Sequence, residues 1–112
     1  MKQSPMNDPT LKQMVERIVQ DHHPEKIILF GSRARGTAGP DSDYDLLIVA
    51  QVNGDPRQYR RAVYHSLYEL RLPVGKDIVV ATPSEVTRSA GLIGNILTPA
   101  IEEGLVLYDR AA

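Results

Sequence analysis

Three short runs dense in branched aliphatic side chains punctuate the chain: KIILF at Lys26–Phe30, a second spanning Asp43–Ala50, and KDIVVA at Lys76–Ala81. Each is too short and too apolar for a surface helix, and each suits a buried strand. Between them lie longer stretches of helical period. Leu11, Met14, Val15, Ile18 and Val19 follow Asp8 and Pro9, a capping side chain ahead of a proline at the first helical position, and this helix should stop near His23, before Pro24. Tyr59, Ala62, Val63, Ser66, Leu67 and Leu70 repeat the pattern after Asp55 and Pro56, ending before Pro73. Thr82 to Glu85 reads TPSE, the opening of a capping box and a further short helix. Ile93, Leu97, Ala100 and Ile101 predict a last helix ended by Gly104, with a short strand over Leu105–Tyr108. Alternating helices and strands argue an α/β fold, one sheet covered by helices. The helix between the second and third runs implies a crossover, which normally joins parallel strands. Both strands then begin at the same edge of the sheet.

A length of 112 residues suits one domain. Residues 1–7 read as a flexible tail interrupted by Pro5, and 8–110 as a single unit. The net charge of −1 makes no global case for nucleic acid, and direct binding to it is not expected. There is no cysteine, so disulfides and thiolate metal sites are excluded. No stretch has the length of a membrane span or the apolar core of a signal peptide, and the expectation is a soluble, cytoplasmic protein without membrane partners.

Strand alternation turns Asp43 and Asp45 to one face and Tyr44 to the other. If the second and third strands are parallel, Asp77 reaches the same sheet edge. Like charges that close repel, and burial would raise their pKa values unless cations neutralise them. An all-oxygen set favours Mg²⁺ or Mn²⁺, and Mg²⁺ usually shares its shell between carboxylates and substrate phosphates. That points to a nucleotide. Taken alone, DSDYD also reads as acids that merely solubilise a loop. A calcium loop fails, because Leu46 and Val52 stand where it needs glycine and a bidentate glutamate.

The first apolar run ends at Gly31, and Ser32, Arg33, Ala34 and Arg35 could form a helical turn whose leading N–H groups face the sheet edge. Gly31 lets the backbone approach a phosphate, the Ser32 hydroxyl can add a hydrogen bond, and Arg33 or Arg35 can supply charge-assisted contacts. The plainer reading is a strand-to-turn connection with solvated arginines. A Walker A loop is ruled out by Thr37 and Ala38, where lysine and a hydroxyl residue are required.

The spacing Gly31, Ser32, ten residues, Asp43, one residue, Asp45 resembles the signature of the DNA polymerase β-like nucleotidyltransferase superfamily. More narrowly, GSRARG followed by SDYDLLIV is similar to the minimal nucleotidyltransferases, the MNT or MntA-like antitoxins that accompany HEPN-domain toxins. The resemblance implies a mixed sheet of about four strands flanked by helices. It also implies transfer of AMP from ATP to an acceptor hydroxyl, with release of pyrophosphate. On that likeness Asp43 and Asp45 would hold two Mg²⁺ ions, and Asp77 would bind the catalytic metal and help deprotonate the hydroxyl. Gly31 and Ser32 would hold the β and γ phosphates. The implied partner is a HEPN ribonuclease toxin, modified on a tyrosine and silenced. Two other readings stay open: an antitoxin that neutralises by binding alone, and a stand-alone nucleotidyltransferase acting on a small molecule or a nucleic-acid end.

Among the remaining polar residues, His22 and His23 read as cations favoured at a helix end. Arg57, Arg60 and Arg61 read as a solvated helix face that could contact an acidic partner, and Tyr59, Tyr64 and Tyr68 as core or interface. Lys76 is turned by strand alternation away from Asp77.

Overall fold

Aspartate followed by proline starts both long helices. In the computed structural model, which describes residues 7–89 and 97–111, α1 spans Pro9–His22 and α3 spans Pro56–Glu69. Asp8 Oδ1 accepts from the N–H groups of Thr10 (2.9 Å) and Leu11 (3.2 Å), satisfying two donors that the first helical turn leaves free. Asp55 does the same for Arg57 N–H at 2.9 Å. α1 ends as its sequence suggests: His23 adopts a left-handed conformation (φ 49°), its N–H bonds to Val19 C=O, and Pro24 follows.

The strands are β1 (Lys26–Phe30), β2 (Tyr44–Val49), β3 (Lys76–Ala81) and β4 (Leu105–Asp109), with the short helices α2 (Ser32–Arg35), α4 (Pro83–Ser89) and α5 (Thr98–Glu103). Of the expected last helix, Ile93 lies outside the described residues. The sheet order is β3-β2-β1-β4. The crossover through α3 makes β2 and β3 parallel, as the pattern required, while β1 runs antiparallel to both its neighbours, β2 and β4. The sheet is therefore mixed. It matters for the site that β1 ends where β2 and β3 begin.

Side-chain alternation divides the core in two. On one face Tyr44, Leu46, Ile48, Ile27, Leu29 and Ile78 pack against Leu11, Met14 and Ile18 of α1 and Val63 and Leu67 of α3. Each fully buried leucine or isoleucine there is worth about 1.5–3 kcal/mol relative to exposure. On the other face Ile28, Leu47, Val49 and Ala81 pack with Leu97 and with Ala100 of α5.

β3 is an edge strand, with backbone groups pointing away from β2 at alternate residues. Two side chains of α3 cover that edge. Tyr64 Oη accepts from Ile78 N–H at 2.9 Å, and Arg60 Nε donates to Ile78 C=O at 2.7 Å. Arg60 is thus tied to the sheet, unlike the freely solvated residue its helical position suggested. His22 differs as well. Its Nε2 lies 2.8 Å from Ser66 Oγ and its ring packs on Tyr59. Burial pushes its pKa down, so the neutral imidazole is favoured and not a helix-end cation. Tyr59 and Tyr64 pack against the larger core, whereas Tyr68 is 78 % exposed.

Candidate active site

The end of β1 and the starts of β2 and β3 meet at one edge. Phe30, the last residue of β1, pairs with Asp45 on β2, and Asp45 pairs with Asp77 on β3. Alternation places both aspartates on the face that carries Leu47, Val49, Val79 and Ala81. Parallel pairing brings Asp77 to the sheet edge of Asp45, as the crossover implied, and the register adds that the two share a face.

Two glycines make room for the carboxylates. Gly31 follows Phe30 with φ 73° and ψ −158°, a region open essentially to glycine alone. A Cβ at that position would collide with Asp45 Oδ2. Gly75, just before β3, holds Tyr44 N–H on its carbonyl at 3.0 Å, and a Cβ there would collide with Asp43 Oδ1. Asp45 therefore lies against Gly31 and Asp43 against Gly75. The third acid, Asp77, has Oδ1 at 3.9 Å from Arg60 Nη2. Nothing in the sequence distinguished Gly75 or Arg60 beforehand. Their importance depends on pairings across the sheet.

Asp45 is half-buried, while Asp43 and Asp77 are exposed. Burial raises the pKa of Asp45, and the negative charges of Asp77 and Asp43 raise it further, against a smaller opposing effect of Arg35. The sheet edge thus carries an electrostatic penalty when Asp45 is ionised. Among the described residues no three Asp, Glu, His or Cys side chains are gathered closely enough to hold an ion by themselves. What the edge offers is an aligned pair, Asp45 and Asp77, with Asp43 beside it. Such a set fits a hard divalent ion that draws its other ligands from phosphate oxygens.

The loop residues divide their tasks. Gly31 C=O accepts from Ala34 and Arg35 N–H at 3.1 Å each, closing α2. Ser32 opens that turn and is half-buried. Arg33 turns the other way: its Nε and Nη2 donate to Ser42 C=O at 3.0 and 2.8 Å, and its guanidinium stacks 3.9 Å from the Tyr44 ring. Tyr44 donates in turn to Asp8 Oδ2 at 2.5 Å, and burial, aided by that carboxylate, pushes its pKa up to about 12. This chain of contacts fastens the Pro40–Tyr44 loop to α1 and α2. Arg35 is left exposed, with its charge felt at Asp45.

The fold is a mixed four-stranded sheet with aspartates gathered at one edge beside a glycine turn, and the chain belongs to the nucleotidyltransferase domain family, which it matches over residues 11–103. It is a transferase. A protein of Methanocaldococcus jannaschii named "Putative protein adenylyltransferase" is 37 % identical over 84 residues, which cover 75 % of this chain and 78 % of that one. Two crystal structures share the fold. A "putative nucleotidyltransferase" from Sulfolobus solfataricus superposes with a TM-score of 0.58 at 22 % identity, over 92 % of this chain and 80 % of the other. A toxin–antitoxin complex with AMP-PNP contains a chain with a TM-score of 0.61 at 23 % identity, over 88 % and 73 % respectively.

Proposed function

We propose that the chain transfers AMP from ATP to a hydroxyl, that of a tyrosine, on a partner protein, and that the partner is a HEPN toxin silenced by the modification. The observation that carries the chemistry is the register of Asp45 on Asp77, with Asp45 packed on Gly31. Transfer to protein is supported by the name of the archaeal relative, and a toxin partner by the toxin–antitoxin neighbour and by the GSRARG and SDYDLLIV stretches.

In this reading residues 8–110 act as one catalytic unit in the cytoplasm. Among the described residues no helix is long and apolar enough to cross a membrane. Asp43, Asp45 and Asp77 would hold Mg²⁺, two ions in all, which when bound lower the pKa of the attacking hydroxyl and stabilise charge on the entering and leaving oxygens. Gly31 gives the β and γ phosphates access to backbone N–H groups, with Ser32 adding its hydroxyl and Arg35 its charge. Arg33 contributes by holding the loop. The acceptor oxygen attacks the α phosphorus, its bond to the bridging oxygen breaks, and pyrophosphate departs. The hydroxyl proton passes to Asp77 or to water. Catalysis of this kind is mostly positioning and electrostatics.

The test is transfer from ATP labelled at the α phosphate to a co-purified HEPN protein, followed by mass measurement of the intact partner. Label on a tyrosine, absent with Asp45→Asn and Asp43→Asn chains of unchanged fold, is the expected result. Transfer undiminished in both variants would overturn the assignment of the site. A labelled small molecule or nucleic-acid end in place of protein would overturn the choice of acceptor.

A further inference from the structure

Arg60 makes four contacts that together place a positive charge beside Asp77, one of them a long hydrogen bond from Nη2 to Tyr64 Oη at 3.4 Å. Its Nε donates to Ile78 C=O at 2.7 Å, its Nη2 lies 3.9 Å from Asp77 Oδ1, and its guanidinium carbon is 5.0 Å from the Tyr64 ring centroid. Tyr64 is itself fastened, its Oη accepting from Ile78 N–H at 2.9 Å. Arg60 and Tyr64 are one turn apart on α3, so both reach the same residue of the edge strand. The guanidinium is planar and remains charged, and with Nε committed to a carbonyl its outer nitrogen is directed along β3 toward the preceding residue.

We propose that Arg60 is a positioning residue for Asp77: an internal counter-cation that holds this carboxylate at the sheet edge and competes there with a divalent ion. The proposal rests on the reading of Asp45 and Asp77 as metal ligands. Because the anchor to Ile78 C=O does not depend on Asp77, the charge stays in place when the carboxylate turns toward an ion. The edge is consequently a poor site for a bare cation. It becomes a better one for a cation that arrives with a triphosphate, whose negative charge offsets Arg60. The side chains of Arg60 and Asp77 are 48 % and 59 % exposed, so solvent screens the pair and the effect is modest.

The test is direct binding of Mn²⁺ to the nucleotide-free chain, with free ion counted by electron paramagnetic resonance, so it needs no turnover. Wild type, Arg60→Gln, Asp77→Asn and the double variant form a cycle, with Tyr64→Phe and Asp45→Asn alongside. Arg60→Gln is expected to tighten Mn²⁺ binding about two- to fivefold. In the Asp77→Asn background that gain should vanish, and Tyr64→Phe, which keeps the charge, should produce none. Structural damage alone would weaken binding, so tightening is the discriminating sign. Should the glutamine variant not fold, Arg60→Met keeps an unbranched side chain of similar length and removes the same charge. The proposal is overturned if the gain survives without Asp77, or if Arg60→Gln fails to tighten binding while Asp45→Asn and Asp77→Asn weaken it. If the two aspartate variants also bind Mn²⁺ as wild type does, the metal-ligand reading itself falls.

Discussion

On one face of the sheet two fourteen-residue helices, α1 and α3, bury Leu11, Met14, Ile18, Val63 and Leu67 against the strands. On the other face the described cover comes from α4 and α5, of seven and six residues, over the smaller cluster around Leu47 and Val49. All three acids of the site belong with this second face or its rim. The difference has a physical basis. A half-buried carboxylate is tolerable where water and ions can reach it, and prohibitively costly under a sealed helical layer. One face can therefore be expected to fail by unfolding when altered, and the other by losing chemistry.

The largest effect should come from the sealed face. Leu67 is fully buried in the last turn of α3, and Leu67→Ala is expected to cost about 2–5 kcal/mol through lost burial and the cavity left behind. Urea titration measures this. Under conditions where the variant remains folded its transferase activity should be near normal, and a variant of unchanged stability but lost activity would erase the distinction between the faces.

Gly31→Ala tests the junction between the two faces. The backbone there is open essentially to glycine, which sets a strain of about 1–3 kcal/mol, and the new methyl must also displace Asp45. Activity should therefore fall far more than stability does. Parallel melting curves and transfer assays check it, and an active Gly31→Ala chain would mean that the approach of Asp45 to Gly31 has no part in catalysis.

Asp8→Ala should cost about 1 kcal/mol as a lost helix cap. It is expected to cost somewhat more here, because it also removes the acceptor of the Tyr44 hydroxyl. Chemical denaturation of Asp8→Ala, Tyr44→Phe and the pair separates the two contributions. Full additivity would show the Asp8–Tyr44 contact to be incidental.

The contrast between the faces also explains what was legible in the sequence. Helices, strands and the parallel crossover follow from local periodicity and from Asp–Pro starts, which act within a few residues; α1, α3 and the four strands are found nearly at the expected boundaries, while the start of the last helix falls outside the described residues. The pairing of Asp45 with Asp77 follows once that crossover is granted. The antiparallel course of β1 was not specified, because it depends on the path of the loop between Gly31 and Asp43. The division between Arg33, which grips Ser42 C=O and Tyr44, and Arg35, which stays exposed, was equally hidden. Both arginines flank Ala34 in the same short turn, and only the tertiary position of Tyr44 tells them apart. Gly75 and Arg60 were missed for the same reason: their partners, Asp43 and Asp77, are distant along the chain or on another element.

The smallest expected effect is the most specific to the open face. Asp45 has its pKa raised, first by burial and then by Asp77 and Asp43, so the folded chain holds that proton more tightly than the unfolded chain does. The stability this confers is complete below the unfolded-state pKa and is lost as pH rises through the higher folded value. At neutral pH the metal-free wild type carries the penalty of the ionised group, whereas Asp45→Asn does not. The variant should accordingly melt at or slightly above wild type near pH 7, with the gap closing near pH 3, on the acid side of the ordinary carboxylate range of about 4. Adding Mg²⁺ and ATP should raise the melting point of wild type more than that of the variant, since binding to the native state alone stabilises it. A metal-free Asp45→Asn chain melting clearly below wild type at neutral pH would show that Asp45 is held by favourable contacts, and that the open face stores no charge repulsion for a cation to relieve.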